Sequence, residues 1–240
     1  MVREPAVPMK PVVDSAVWTA TDLANDEGWV HVLSGPDIAE LDLLVKTLDE
    51  KVTDVLEITA EDINLPTLGP RLKKVASDVI DGRGLALIRG VPVARYTRLQ
   101  SAIAFWSIGS FIGSPVSQNA KGHLLGHVQD LGGTSLSNPK NRGYQTHDGL
   151  PYHCDSCDVV VLMCLHPSKT GGVSTVVSSL SIQDSVKFSI GLEPGSGSIS
   201  LISIQETYSP GQSILVLGNT GSNARITITC LLYTSDAADE

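Results

Sequence analysis

The stretch that most constrains this chain runs from Val159 to Leu165 and reads Val-Val-Val-Leu-Met-Cys-Leu, with no polar interruption. A short, β-branched apolar run of this kind predicts a buried strand. It is too short to cross a bilayer. A second apolar run, Gly84-Leu85-Ala86-Leu87-Ile88-Arg89-Gly90, is bracketed by glycines and predicts another buried strand. Around these lie helix signals. Ser34-Gly35-Pro36-Asp37 is a helix start with a Ser cap and Pro in the first turn. Ile38, Leu41, Leu44, Val45, Leu48 and Val52 follow it at helical spacing. A second helix is predicted to begin near Pro70, to use Leu72, Val75, Val79 and Ile80, and to stop at Gly82. A third covers Leu99 to Ile112, with Ile103, Trp106, Ile108 and Phe111 as apolar positions. From Gly113 onward the pattern changes to short strands and turns, with Ser174 to Leu180 as a further predicted strand. No internal repeat is present.

Bulk properties narrow the function classes. With 240 residues, 42% hydrophobic and 18% charged, the chain reads as a single globular domain. Lys and Arg number 17 against 26 acidic residues, a net charge of -9. Nucleic-acid binding needs clustered basic residues, so that class is excluded. No segment reaches membrane-spanning length, and Met1 to Pro11 carries Pro and mixed charge without the apolar centre of a signal peptide. The cysteines are Cys154, Cys157, Cys164 and Cys230. Three crowd one segment, unlike a secreted disulfide framework, and a reducing, cytoplasmic location is expected.

The chemistry-bearing stretch is Tyr144-Gln145-Thr146-His147-Asp148-Gly149-Leu150-Pro151-Tyr152-His153-Cys154-Asp155-Ser156-Cys157-Asp158, directly before the apolar strand. In His153-x-Asp155 an imidazole and a carboxylate stand two positions apart. On extended backbone they project to one face and could grip one metal ion from one side. That donor pair suits Fe(II), whose two-His-one-carboxylate facial triad leaves positions open for a co-substrate and oxygen. A surface turn with Asp155 as its turn residue would read the same way. Cys154-x-x-Cys157 lacks the second couple of a structural zinc site. It also leads into a strand, where a thioredoxin-type pair opens a helix. His123 and His127 are flanked by Gly122 and Gly126 and read as loop or strand residues, and His31, among Trp29, Val30 and Val32, reads as structural. His147 and Asp148 are adjacent and face opposite sides of any strand.

Several blocks in order give these residues a family. Gly82 to Val93 (GRGLALIRGVPV), Gly113 to Asn119 (GSPVSQN), Gly122 to Val128 (GHLLGHV), Gly143 to Thr146 (GYQT), His153-x-Asp155-Ser156-x-Asp158 and Gly171 to Ser174 (GGVS) stand in sequence. Across roughly Trp18 to Asp184 the chain resembles the TauD/TfdA family of Fe(II)- and 2-oxoglutarate-dependent dioxygenases, in its clavaminate synthase-like branch. The resemblance implies an α+β fold built on a double-stranded β-helix, or jelly roll, with flanking helices. It implies hydroxylation of a small organic metabolite with O2 and 2-oxoglutarate as co-substrates. It makes His153 and Asp155 the first two iron ligands, and it sets the Ser174 hydroxyl against the 2-oxoglutarate carboxylate, where a plain strand-start Ser is the alternative. Asp158 would accept a hydrogen bond that holds the site, or cap the turn. Gln118, Asn119 and Gln145 are polar candidates for the substrate side, or ordinary loop hydrogen-bonding residues.

The departures are as informative. The family's pattern requires a distal His and, beyond it, an Arg whose planar fork clamps the far carboxylate of 2-oxoglutarate. No His follows His166, which stands at the far end of the apolar strand, and Arg225 is the only Arg after Arg142. From Val186 the sequence turns rich in Ser, Gly and Ile, with little helical or strand periodicity. Cys230 to Glu240 reads CLLYTSDAADE and resembles the in-frame translation of a sequencing adapter. The expected organisation is therefore 1–185 as the N-terminal part of a dioxygenase domain, 186–229 as intron read-through or a frameshift, with an ordinary variable C-terminal region as the alternative, and 230–240 as a non-biological tail. An incomplete barrel with exposed strand edges and a catalytically incomplete chain are expected. The rival expectation is a non-catalytic jelly-roll binding protein or decayed enzyme.

Overall fold

The computed structural model describes residues 11–132, 135–138, 141–146, 148–150, 152–155, 157–167 and 174–181, and the backbone of strands 213–218 and 225–232. Its helices begin where local chemistry can satisfy their first N–H groups. Thr19 and Asp22 form a reciprocal capping box on the short helix α1 (Ala20–Asn25). The same device, Ser34 with Asp37, opens α2 (Gly35–Asp49), where Ser34 N donates to Asp37 Oδ2 at 2.7 Å. The start of α3 (Leu68–Ile80) lacks a cap of its own. The Glu40 carboxylate on α2 supplies it, accepting Thr67 N at 2.9 Å and Leu68 N at 2.7 Å. Thr97 and Gln100 cap α4 (Arg98–Ser110). These helices match the three predicted from spacing to within two residues at their starts. α1, too short to show periodicity, was not foreseen.

The described strands form one mixed sheet. These are β1 (Val30–Val32), β2 (Leu85–Arg89), β3 (Ser114–Pro115), β4 (Leu125–Val128), β5 (Val159–His166), β6 (Ser213–Gly218) and β7 (Arg225–Leu232). The order is β1-β2-β6-β5-β7-β3, with β4 also beside β7. β2 and β5 run antiparallel to β6, while β1 is parallel to β2, and β3, β4 and β5 are parallel to β7. Register assigns the faces. Ala86 and Val161 both stand opposite Val216, and Leu87 and Leu162 both stand opposite Leu215. Ala86, Ile88, Val159, Val161, Met163 and Leu165 accordingly bury against α2, α3 and α4. Leu85 and Leu87 bury on the other face, under Trp18, Leu23 and Trp29. No helix among the described residues is long and apolar enough to cross a membrane.

Two sequence expectations are revised. Ser174 to Leu180 is not a strand: 174–178 is irregular and a helical turn begins at 179. Its polar groups bond elsewhere. Ser178 Oγ donates to Ala16 O, and Ser181 Oγ donates to Trp18 O at 2.8 Å while accepting Trp18 N at 3.0 Å. With its hydroxyls tied to the N-terminal segment, it joins no sheet ladder. The stretch after Val186 contains β6 and β7, whose Ile214-Leu215-Val216-Leu217 and Ile226-Thr227-Ile228-Thr229 favour extended chain. The described strands give the expected α+β character in one mixed sheet, where β7 has only parallel partners among the described residues. The double-stranded β-helix that the resemblance implies is not shown directly by these strands.

Candidate metal centre

The site is held from its C-terminal side by β5. Every second residue of that strand, Val159, Val161, Met163 and Leu165, is buried, so the strand cannot slide or rotate without exposing its apolar row. Cys157, also buried, anchors the turn just before it. His153 and Asp155 lie immediately upstream on irregular backbone and remain open, with side chains 53% and 44% exposed. His153 Nε2 and Asp155 Oδ1 stand 3.6 Å apart. Two donors each about 2.1 Å from one ion and at right angles to each other are separated by about 3.0 Å. The observed spacing is close to that, and a small side-chain rotation closes the difference. Cys154, between them, is exposed, while Cys157 is buried. The two thiols thus sit in different environments.

The chemistry of the donor set fits an iron ion in two of its three protein positions. Among the described residues no group of three or more His, Cys, Asp or Glu side chains could hold a metal. Asp158, half-buried at the strand entrance, does not complete such a set. Neither does His166. It is exposed at the opposite end of β5, about 23 Å from the strand's start at about 3.3 Å per residue.

The remaining candidates are dispersed. Ser174 is exposed at the head of the segment that docks through Val176, Ser178 and Ser181 onto the N-terminal residues. Gly171 and Gly172, before it, lie outside the described residues, as does His147. Gln118 and Asn119 shape their own loop. Gln118 Nε2 donates to Val116 O at 2.7 Å, and Asn119 Oδ1 accepts Lys121 N at 2.9 Å. Gln145 sits in a helical turn, where its carbonyl accepts Leu131 N at 3.1 Å. Together with Gln129 N donating to Tyr144 O at 2.9 Å, this ties the end of β4 to the segment leading into the site.

Sequence reasoning missed two supports. Asp148 Oδ2 accepts Leu136 N at 2.6 Å and fastens the loop ahead of the site. Leu150 lies directly over Gly143, where no side chain would fit without moving it. The Asp148 contact spans residues too far apart for periodicity to reveal. Gly143, inside the GYQT block, was visible as a glycine but not as a seat for Leu150.

Comparison with known proteins supplies the class. The chain belongs to the taurine catabolism dioxygenase TauD, TfdA family, whose model matches residues 47–187. It is similar to FR-33289 synthase of Streptomyces rubellomurinus, 29% identical over 177 residues that cover 74% of this chain and 52% of that protein. It is also similar to taurine hydroxylase-like protein SAT17 of Stachybotrys chartarum, 29% identical over 175 residues covering 70% of this chain and 46% of that protein. The chain spans about half the length of the curated relatives it matches.

Proposed function

We propose that this chain is part of a cytoplasmic Fe(II)- and 2-oxoglutarate-dependent dioxygenase that hydroxylates a small organic metabolite, with His153 and Asp155 as two of its three iron ligands. The 3.6 Å approach of His153 Nε2 to Asp155 Oδ1 on a backbone pinned by β5 carries the reading. When bound, iron and 2-oxoglutarate supply the oxidising power for placing oxygen on a substrate C–H bond. The chain's own groups hold and orient. His153 would offer a ring nitrogen and Asp155 a carboxylate oxygen to the ion. Ser174 presents a hydroxyl for a carboxylate of 2-oxoglutarate, and Asp158 supports the turn that carries both ligands. Gln118, Asn119 and Gln145 supply polar groups on the substrate side.

The chain as it stands supplies too few groups for turnover. The third ligand and an Arg for the far carboxylate of 2-oxoglutarate are missing from residues 154–224 apart from His166, which lies at the wrong end of β5. In this reading 1–185 is the N-terminal part of the domain, 186–229 comes from intron read-through or a frameshift even though it carries β6 and most of β7, and 230–240 is a non-biological tail. The family match ending at residue 187 supports that division. Resequencing the transcript from the Asp184 codon tests both points. An in-frame continuation carrying a distal His and then an Arg is expected. The purified product of that continuation should release succinate from 2-oxoglutarate, and the 240-residue chain should not. A transcript that ends as written would leave a binding protein, and robust turnover by the 240-residue chain would refute the incompleteness.

A further inference from the structure

Two thiols flank Asp155 and have no part in the function proposed above. Cys154 stands between His153 and Asp155, and Cys157 lies two residues beyond Asp155. Both are thiols in this structure, Cys154 exposed and Cys157 buried just ahead of β5. One sulfur meets solutes, and the other sits where the chain is anchored. Cys164, further along β5, is half-buried, and burial pushes its pKa up, so less of it is the reactive thiolate.

A disulfide requires Cβ atoms about 3.8 Å apart and a set torsion about the S–S bond. Cys154 and Cys157 face solvent and core respectively, so joining them must redirect the chain through Asp155 and Ser156. Residues 153–155 belong to no helix or strand, and no backbone ladder opposes the change. Asp155 lies inside the ring that closes, and His153 lies directly outside it. The 3.6 Å approach of His153 Nε2 to Asp155 Oδ1 belongs to the open form and is lost when the chain takes a new path between them.

We propose that Cys154 and Cys157 form a thiol switch on the metal pair, closing reversibly into a disulfide that takes His153 and Asp155 out of metal-binding geometry. The switch rests on the reading of that pair as iron ligands. Its oxidant is a low-molecular-weight disulfide of the glutathione type. The exposed Cys154 thiolate attacks one sulfur of that disulfide, its S–S bond breaks, and one reduced glutathione leaves. The Cys157 thiolate then attacks the Cys154 sulfur of the mixed disulfide, forms the Cys154–Cys157 bond and releases the second reduced glutathione. Two electrons pass from the protein thiols to the oxidant, and the two thiol protons end on the released glutathione. A bridge across so short and open a segment is of the labile kind that regulates, and in a reducing compartment such bridges are transient and redox-sensing.

The test incubates the 240-residue chain with reduced or oxidised glutathione, then desalts it under nitrogen. Peptide mass spectrometry after alkylation maps the disulfides, and equilibrium dialysis measures Co(II) affinity. Oxidation should join Cys154 to Cys157 and weaken Co(II) binding about tenfold or more, on the scale of disturbing the support of a ligand. Dithiothreitol should restore it. Cys154→Ser, at an exposed position, should bind Co(II) as tightly as the reduced chain after either treatment. Absence of a Cys154–Cys157 link, or a link that leaves Co(II) affinity unchanged, would overturn the switch while the metal pair stands. Weakened Co(II) binding by reduced Cys154→Ser would make the thiol a ligand and overturn the switch as well. No Co(II) binding by the reduced chain itself would bring down the metal pair, and the switch with it.

Discussion

His153 Nε2 stands 3.6 Å from Asp155 Oδ1, with one exposed residue, Cys154, between them and a buried one, Cys157, just beyond. The pairing needs no distant contact. The two residues are two positions apart on irregular backbone just ahead of β5, whose buried row anchors the segment's C-terminal side.

Removal of either donor should therefore change metal affinity and little else. His153→Ala and Asp155→Ala are each expected to weaken Co(II) binding by more than the roughly 10–100-fold typical of losing a hydrogen-bond partner of a ligand. Both side chains are about half exposed, so stability should move by no more than about 0.5 kcal/mol. Equilibrium dialysis with Co(II) and urea denaturation measure the two effects. Unchanged affinity in both variants would remove the pair from any metal site.

Asp37 is a buried carboxylate that links α2 to α3. It is fully buried, caps α2 through Ser34 and receives Arg71 from α3, which also donates to Val32 O at 3.0 Å. Burial pushes its pKa up, but hydrogen bonds from the Ser34 hydroxyl and backbone and from Arg71 outweigh it, and the carboxyl stays below its ordinary value. A depressed carboxylate stabilises the fold above its unfolded pKa of about 3.9 and loses that contribution as pH falls through the folded value. Asp37→Ala should cost about 2–3 kcal/mol at neutral pH, less than the ~3–5 kcal/mol of a stranded, fully buried partner, because Arg71 can still reach water. Urea denaturation at neutral and acid pH should show the loss shrinking in acid. A loss that does not shrink would place the effect in packing.

His31 on β1 carries the opposite kind of titration. Its Nε2 is buried without a hydrogen-bond partner. Burial, aided by the charges of Arg71, Lys74 and Arg83 and opposed by Asp78, lowers its pKa. The unfolded chain then binds the proton more readily, so stability should decline as pH drops below about 6.5. His31→Leu should flatten that part of the stability–pH curve, leaving a share from His127, whose pKa burial also lowers. An identical curve in the variant would show that the ring is not the source.

Met163 is fully buried in the middle of β5, within the apolar row that follows His153 and Asp155. Met163→Ala should destabilise the chain by about 2–5 kcal/mol through lost burial and a residual cavity. Chemical denaturation checks the magnitude. A change below about 1 kcal/mol would mean that this strand is not part of the cooperative core.

The legible parts of this protein are those whose causes lie close in the chain. Ser34 and Asp37 announce α2 within one turn, and glycines bracket β2. The unbroken apolar run of β5 and the two-residue step from His153 to Asp155 are visible in the same way. Ser174 to Leu180 misled because its alternation suits a strand, while its serines bond to Ala16 and Trp18, more than 160 positions away. The Glu40 cap on α3 and the Leu150 seat on Gly143 were equally out of reach, since neither partner advertises the other.

Capping, apolar periodicity and side-chain alternation act over one or two turns of chain, and they suffice to write the helices, the buried strands and the neighbouring His153 and Asp155 into the order of residues. Which face of the sheet each strand buries and how Arg71 meets Asp37 across 34 positions were settled only by long-range packing. Those contacts depend on where distant segments bury their apolar surface, and no local pattern encodes that.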